Sequence, residues 1–159
     1  MKICKIKENY INYLRNFDNR VLINKNETRP YVGILFKIGK IKYFAPLSSP
    51  KLKHKDMKTS IDFIKIENGK YGAINLNNMI PVLDEVIIDL NIDSLKDKKY
   101  KELLYNQLNY VNSKAKFIVK KASMLYVKVS NFNGRLNKRC VNFKLLENEI
   151  EYYKGENDL

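Results

Sequence analysis

Two adjacent hydroxyl groups followed by a cluster of cations are the residues of this chain best suited to chemistry. Ser48 and Ser49 end an apolar stretch, and Pro50, which has no amide hydrogen, would stop a β-ladder directly behind them. Four lysines and the only histidine of the chain follow: Lys51, Lys53, His54, Lys55 and Lys58. Hydroxyls and ammonium groups held close together bind phosphate oxygens. The stretch therefore predicts a phosphate-handling surface, and the alternative is a strand end followed by a solvated loop.

The charge of the chain favours a polyanionic partner. Its 159 residues carry 30 Lys and Arg against 17 Asp and Glu, which gives a net charge of +13 at pH 7. Nine lysines but only two acidic residues lie between positions 96 and 128. This excess indicates binding to nucleic acid or to an anionic membrane surface. A lysine-rich helix face that only meets water is the alternative explanation.

Other classes of protein are disfavoured by what the sequence lacks. No apolar run approaches the ~20 residues of a membrane helix, and the first residues lack the apolar core of a signal peptide, so we expect a cytoplasmic protein without a membrane partner. Cys4 and Cys140 are expected to be free thiols, with a disulfide as the alternative. One histidine, two cysteines and dispersed carboxylates favour neither a zinc site nor a two-metal site. We therefore expect no cofactor.

Apolar patterning predicts strands in the first half of the chain and helices in the second. Predicted strands cover residues 1–7, 31–38, 41–47, 62–67, 71–76, 79–82 and 86–90, with hairpin turns at Gly39-Lys40 and Asn68-Gly69. Predicted helices cover residues 10–17 (capped by Asn9), 100–111, 115–125 and 141–153, with loops at 18–29 and 131–137. This order indicates one α+β domain over residues 1–159, built on an antiparallel sheet.

The sequence resembles the ToxN/AbiQ family of endoribonuclease toxins from type III toxin–antitoxin systems. The most specific block is Ala45-Pro46-Leu47-Ser48-Ser49-Pro50-Lys51. Weaker similarity follows the family order along nearly the whole chain, at residues 10–14, 29–35, 74–81, 100–108 and 143–147. Two positions differ from the pattern. The first hydroxyl of the pair, often Thr in relatives, is Ser48 here, and relatives can carry Lys where this chain has Arg29.

The resemblance implies a fold, an activity and a partner. The implied fold is a twisted antiparallel sheet wrapped by helices, similar to the Kid/MazF-type toxins, with a helical C-terminal half. The implied activity is sequence-specific RNA cleavage without metal, which leaves a 2′,3′-cyclic phosphate and a 5′-hydroxyl. The implied partner is a repetitive pseudoknot antitoxin RNA that inhibits the toxin and is cut by it, in a closed assembly of two or three copies of each. The implied roles are abortive infection against phage and plasmid maintenance, with mRNA as the substrate.

The family's active-site cluster, transferred by position, includes residues along much of the chain. The residues assigned to catalysis are Tyr10, Ser48, Ser49, Lys51 and Tyr105. The residues assigned to RNA binding, from the resemblance for Arg29 and from charge for the others, are Arg29, Lys53, His54, Lys55, Lys114, Lys116, Lys120 and Lys121. We expect Lys51 and the two serines to stabilise the reacting phosphate while the ribose 2′-hydroxyl attacks it. A non-catalytic basic RNA-binding protein is the alternative, because it accounts for the charge without any chemistry.

Overall fold

The computed structural model describes residues 1–155, and the order of elements confirms the predicted α+β class. The strands are β1 (Lys2–Ile6), β2 (Tyr31–Gly33), β3 (Lys37–Ile38), β4 (Ile41–Ser48), β5 (Ile64–Lys65), β6 (Ala73–Ile74), β7 (Ile80–Val82) and β8 (Ile87–Asp89). The α-helices are α1 (Glu8–Arg15), α2 (Leu52–Asp56), α3 (Lys98–Ser113), α4 (Ala115–Asn131), α5 (Arg135–Arg139) and α6 (Phe143–Glu149). Short 3₁₀ turns cover Glu67–Gly69, Leu76–Asn78, Asp84–Val86, Ile92–Ser94 and Ile150–Tyr152.

Strand β4 is the centre of an antiparallel sheet with the order β5-β6-β4-β2-β1-β8, and β3 and β7 also pair with β4. Its partners change along its length. The first half pairs with β3 and β7, whereas Ala45 and Pro46 pair with β2 and the last two residues pair with β6. Ser48 therefore stands opposite Ala73, at the end of the longest strand. A strand that changes partners in this way twists the sheet and delivers its last residues to one edge.

The helical second half covers the sheet and completes the core. Helices α3 and α4 are separated by Lys114, whose backbone leaves the helical conformation. A buried carboxylate of α6 connects this helix to β4 and α4. Glu147 Oε1 accepts hydrogen bonds of 2.7 Å from the hydroxyls of both Tyr43 and Tyr126. No helix within residues 1–155 combines the length and apolarity needed to cross a bilayer.

The two cysteines are free, as predicted, and the structure shows that both are buried. Their removal from water raises the pKa of each thiol to about 12, because burial penalises the charged thiolate. Cys4 lies on β1 and Cys140 lies just before α6, so both belong to the core. They are packing residues rather than reactive nucleophiles.

The structure corrects several predicted boundaries. Helix α1 begins at Glu8, so Asn9 lies inside the helix rather than capping it. The predicted strand 31–38 is interrupted between Gly33 and Lys37, where the chain still bonds to β4 through Tyr43 but leaves the regular ladder. The predicted loop 131–137 contains the start of α5, and the predicted terminal helix 141–153 is α6 followed by a 3₁₀ turn. Single-residue capping and local register depend on tertiary neighbours that periodicity does not report.

Candidate active site

The paired hydroxyls stand where β4 ends against the turn that precedes β6. Gly72 makes this approach possible, since a Cβ atom there would lie 1.8 Å from the Ser48 carbonyl oxygen. Gly72 also has a φ of +89°, in the left-handed region that L side chains rarely adopt. The backbone at residue 72 therefore lies directly against Ser48. Ser49 follows as an exposed residue and Pro50 ends the ladder, as the sequence predicts.

The Ser48 hydroxyl is oriented by Asn75. The Asn75 side-chain amide donates a hydrogen bond of 2.6 Å to Ser48 Oγ and a longer one of 3.4 Å to the Pro46 carbonyl. The Asn75 backbone N–H also donates to the Pro46 carbonyl, at 3.1 Å. Because the amide uses a lone pair of Ser48 Oγ, the hydroxyl hydrogen stays available for a substrate oxygen. Ser48 is therefore a preset hydrogen-bond donor.

Lys51 is held by its main chain through His54. The Lys51 backbone N–H donates to the side-chain Nδ1 of His54 at 3.3 Å. The His54 backbone N–H donates in turn to the Lys51 carbonyl at 2.9 Å. Burial, followed by the charges of Lys51 and Lys53, lowers the pKa of His54. A neutral imidazole that accepts at Nδ1 carries its hydrogen on Nε2. The lysine side chain, by contrast, is exposed and lies at the surface.

His54, which the sequence predicts to bind RNA, is almost fully buried in the structure. Only 2% of the His54 surface is exposed, and its ring packs against Phe63 with the ring centroids 5.7 Å apart. His54 reaches the wall of a cleft, but its contacts are those of a residue that shapes the Lys51 loop. His54 therefore positions the Lys51 main chain, and its contact with RNA stays a prediction.

Two clefts meet at Arg29, Ser48 and Lys51, because these three residues line both. The smaller cleft encloses about 330 Å³ and also contains Ser49 and Tyr100. The larger encloses about 630 Å³. Within residues 1–155, Arg29 uses Nε to bond the Ile23 carbonyl at 2.8 Å and makes no salt bridge. The guanidinium ends and the Lys51 ammonium thus leave positive charge at the junction of the clefts.

The far wall of the larger cleft is built around a buried carboxylate. Arg139 Nη2 donates to Asp62 Oδ1 at 2.9 Å, and the Ser60 hydroxyl donates to the same oxygen at 2.6 Å. Burial opposes ionisation of Asp62, but these hydrogen bonds outweigh it and lower the pKa of the carboxyl group. Lys121 donates to the Ser60 carbonyl at 2.7 Å, and burial lowers the pKa of this lysine. Among the described residues, no three His, Cys, Asp or Glu side chains converge as a metal site would require.

The two tyrosines predicted to be catalytic lie outside this cluster. Tyr10 is fully buried, its hydroxyl donates to the Pro81 carbonyl at 2.7 Å, and its ring packs on Tyr153. The structure thus places Tyr10 in the core and outside the lining of both clefts, and its catalytic role stays a prediction. The Tyr105 hydroxyl bonds to Asp93, and this hydrogen bond raises the pKa of Tyr105. Tyr105 lines neither of the two clefts.

The predicted RNA-binding cations divide into two groups. Lys53 lies in the larger cleft, and Lys55 is exposed on α2 beside it. Lys116 and Lys120 are exposed on α4, and Lys114 is exposed at its start; none of these three lines either cleft. The second group is therefore a separate basic surface, which we call the α4 surface. Lys121 is not part of it, because its ammonium is turned inward to Ser60.

Sequence reasoning missed several residues of the site. They are Tyr100 in the smaller cleft and Asn75, Asn77, Asn78 and Arg139 in the larger one. In the sequence, Asn75 falls inside the predicted strand 71–76, and Asn77 and Asn78 fall between that strand and the next one. The available signals were the density of amides, three within four positions, and their place in the family-like block at residues 74–81. Tyr100 and Arg139 stand far from Ser48 in the sequence, and only folding brings them to the clefts.

Comparisons with known proteins agree with this fold and identify the family. The family model for the toxin ToxN of type III toxin–antitoxin systems matches residues 2–151. The chain is 34% identical to the endoribonuclease ToxN of Pectobacterium atrosepticum, over 98% of this chain and 95% of that protein. It is also 34% identical to the endoribonuclease AbiQ of Lactococcus lactis subsp. lactis, over 96% of this chain and 89% of that protein.

Two solved structures resemble this one over their whole length. The structure of AbiQ, described as a lactococcal anti-phage endoribonuclease, superposes with a TM-score of 0.84 at 31% identity and covers 96% of both chains. A structure from work on toxin inhibition by a non-coding RNA pseudoknot superposes with a TM-score of 0.83 at 30% identity and covers 98% of both chains. The sequence resemblance is thereby confirmed: this chain belongs to the ToxN family of toxins from type III toxin–antitoxin systems.

Proposed function

We propose that this endoribonuclease toxin cleaves RNA where its two clefts meet, at Arg29, Ser48, Ser49 and Lys51. The observation that carries the proposal is that Arg29, Ser48 and Lys51 each line both clefts. An RNA strand that passes from one cleft to the other brings a backbone phosphate between these side chains. Two cations and two hydroxyls in that position bind the phosphate oxygens and hold one linkage for reaction.

The RNA supplies its own nucleophile in this mechanism. The 2′-oxygen forms a bond to the phosphorus and gives up its proton, while the bond from phosphorus to the 5′-oxygen breaks and that oxygen gains a proton. The products are a 2′,3′-cyclic phosphate and a 5′-hydroxyl. Alignment of the attacking and leaving oxygens accounts for several kcal/mol when the reacting atoms are near contact, on the order of 7 or more.

The side chains at the cluster stabilise the charge that develops on the non-bridging oxygens. Ser48 donates its free hydroxyl hydrogen, and Lys51 and Arg29 supply positive charge without metal. Tyr100 has its pKa raised by burial and so keeps its hydroxyl hydrogen near neutral pH. We assign Tyr100 to hydrogen-bonding the ribose or the departing oxygen. His54 is not the general base, because its Nδ1 already accepts the Lys51 N–H.

The antitoxin in this proposal is a repetitive RNA that folds into pseudoknots, inhibits the toxin and is cut by it into repeat units. Support comes from the similar structures, one described with a pseudoknot inhibitor and another with a processed non-coding RNA that regulates an antiviral system. A closed assembly of two or three copies of each partner requires a second RNA contact on each toxin. The α4 surface, with Lys114, Lys116 and Lys120 exposed, offers that contact. We propose action on cytoplasmic mRNA, in phage abortive infection or plasmid maintenance.

Incubation of the purified protein with mixed cellular RNA tests the activity. We expect cleavage at a short preferred sequence, cyclic phosphate at the new 3′ ends and no effect of EDTA. A short RNA with a single 2′-deoxy sugar at the mapped cut should bind but resist cleavage. RNA that is retarded in a gel yet never cut would identify a non-catalytic binding protein, and rescue of EDTA-treated protein by magnesium would contradict metal independence.

Variants of the cluster test the residue assignment. Ser49→Ala and Lys51→Ala should each lower the cleavage rate about a hundredfold, on the order of 3 kcal/mol for one fixed donor. Lys40→Ala is the matched control, because Lys40 is exposed in the turn between β3 and β4 and its loss changes the net charge equally. Parental rates in both cluster variants would refute the assignment.

A further inference from the structure

We propose that the larger cleft is a base-recognition subsite, in which the amide oxygens of Asn75, Asn77 and Asn78 are the available acceptors for the two N–H hydrogens of the exocyclic amino group of a nucleobase beside the reacting phosphate. The inference rests on the proposed function only in placing RNA at the junction of the clefts. All three asparagines line this cleft, and Asn75 is bonded directly to Ser48. A base bound there lies next to the phosphate cluster.

The nitrogen of each asparagine amide faces a backbone carbonyl oxygen, most closely at Asn78. Asn75 Nδ2 lies 3.4 Å from the Pro46 carbonyl, Asn77 Nδ2 lies 3.5 Å from the Arg139 carbonyl, and Asn78 Nδ2 lies 2.8 Å from the Arg20 carbonyl. A carbonyl oxygen only accepts hydrogen bonds, so the NH₂ group of each amide must point toward it. Within residues 1–155, none of the three Oδ1 atoms accepts a hydrogen bond from another part of the chain.

The backbone that carries these acceptors is rigidly held. Asn77 and Asn78 belong to the 3₁₀ turn Leu76–Asn78. The Asn77 N–H donates to the Asp62 carbonyl at 3.0 Å, and the Asn77 carbonyl accepts from the Val141 N–H at 2.9 Å. The turn is thus fastened on one side to the segment before β5 and on the other to the segment before α6. Acceptors fixed before a ligand arrives lose little entropy on binding.

The chemistry of this wall selects a base rather than a phosphate. Neutral carbonyl oxygens repel phosphate oxygens and attract N–H donors, and the only carboxylate of the cleft, Asp62, is already paired with Arg139. Adenine, cytosine and guanine present exocyclic amino groups, whereas uracil presents none. Phe63 lines the same cleft, where its ring can stack on the base. Lys53 and Lys58 line the cleft as well and remain for the RNA backbone.

Binding of uncleavable heptamers tests the inference independently of catalysis. The probes have 2′-O-methyl riboses and carry only adenine or only purine (adenine without its amino group), and a second pair carries only cytosine or only pyrimidin-2-one. Fluorescence anisotropy measures each dissociation constant. We expect the parent protein to bind the amino-bearing member of at least one pair about fivefold more tightly, the effect of one hydrogen bond.

Two variants and one control identify where the amino group is read. In at least one of the variants Asn77→Ala and Asn78→Ala the preference should fall to within about twofold, while circular dichroism shows that both remain folded. Asn109→Ala is the control, since Asn109 is exposed on α3 outside both clefts, and it should keep the parental preference. Equal binding within both pairs in the parent overturns the inference, as does a preference unchanged in both variants. Failure of the proposed function would appear separately, as the absence of cleavage of unmodified RNA.

Discussion

The Asn75 side-chain amide lies 2.6 Å from Ser48 Oγ, so the residue directly after β6 sets the direction of the hydroxyl at the end of β4. The backbones of the two residues are joined through Pro46, whose carbonyl accepts the Asn75 N–H. The donor is therefore aimed by the sheet itself before a substrate binds. Preorganisation of this kind makes a hydroxyl effective against charge that develops during reaction.

Reversing the polarity of this hydrogen bond should disable Ser48. In Asn75→Asp the carboxylate would accept the Ser48 hydroxyl hydrogen and place negative charge near the reacting phosphate, so we expect the cleavage rate to fall about a hundredfold. Asn75→Ala only removes the orienting amide and should cost about fivefold. Single-turnover rate constants on one RNA oligonucleotide measure both. An Asp variant as fast as the Ala variant would contradict the role of Asn75.

Substitution of Gly72 should damage both the fold and the site. A Cβ atom there lies 1.8 Å from the Ser48 carbonyl oxygen, and φ is +89°. In Gly72→Ala we expect the free energy of unfolding to drop by about 2 kcal/mol or more, together with a loss of cleavage. Urea titration measures the free energy of unfolding, and the RNA assay measures the loss of cleavage. Gly134→Ala is the matched control, because nothing lies within 4 Å of a Cβ there; comparable losses in the two variants would count against the Gly72 contact.

Tyr10→Phe separates a core role from a catalytic one. The substitution removes only the hydroxyl that donates to the Pro81 carbonyl, so we expect the free energy of unfolding to fall by about 1 kcal/mol. The cleavage rate at a temperature where the variant is folded should equal that of the parent. A rate loss of a hundredfold in the folded variant would show that the hydroxyl takes part in the reaction despite its burial.

His54 should make the stability of the protein fall as the pH drops below about 6.5. An unfolded imidazole takes up a proton near its ordinary pKa of 6.5, whereas burial and then Lys51 and Lys53 lower the pKa of folded His54. The unfolded state therefore binds more protons just below pH 6.5, and the free energy of unfolding decreases there. Urea titrations at pH 7.5 and 5.5 measure this loss, which His54→Gln should largely abolish. If the free energy of unfolding depends on pH identically in parent and variant, His54 is not the cause of the loss.

Asp18 and Asp62 do not interfere with the measurement of the His54 effect on stability. Asp18 and Asp62 have folded pKa values below their ordinary value of 3.8, because hydrogen bonds from Arg20 and Arg139 outweigh the effect of burial. The stability that these groups contribute is lost only as the pH falls through and below 3.8, well under the range tested for His54.

Local patterns in the sequence were sufficient for much of this protein. Alternation and turn chemistry predicted the hairpins at Gly39-Lys40 and Asn68-Gly69, and the structure confirms both as reversals between paired strands. The end of β4 at Ser48 before Pro50 was also predicted, because a residue without an amide hydrogen cannot extend a ladder. These features depend only on residues that are neighbours in the chain. The family block around Ser48 was likewise recognisable because its residues are contiguous.

Tertiary structure alone decided which distant residues join that block. The family resemblance assigned Tyr10 to the site, yet its ring packs in the core. Tyr100 and Arg139, in contrast, reach the clefts from helices far along the chain. Whether a polar side chain faces a cleft or the core depends on strand register and helix packing, which bring together residues tens of positions apart. Sequence spacing does not show which distant residues come together in space. The serine pair was therefore predictable, and the clefts around it were not.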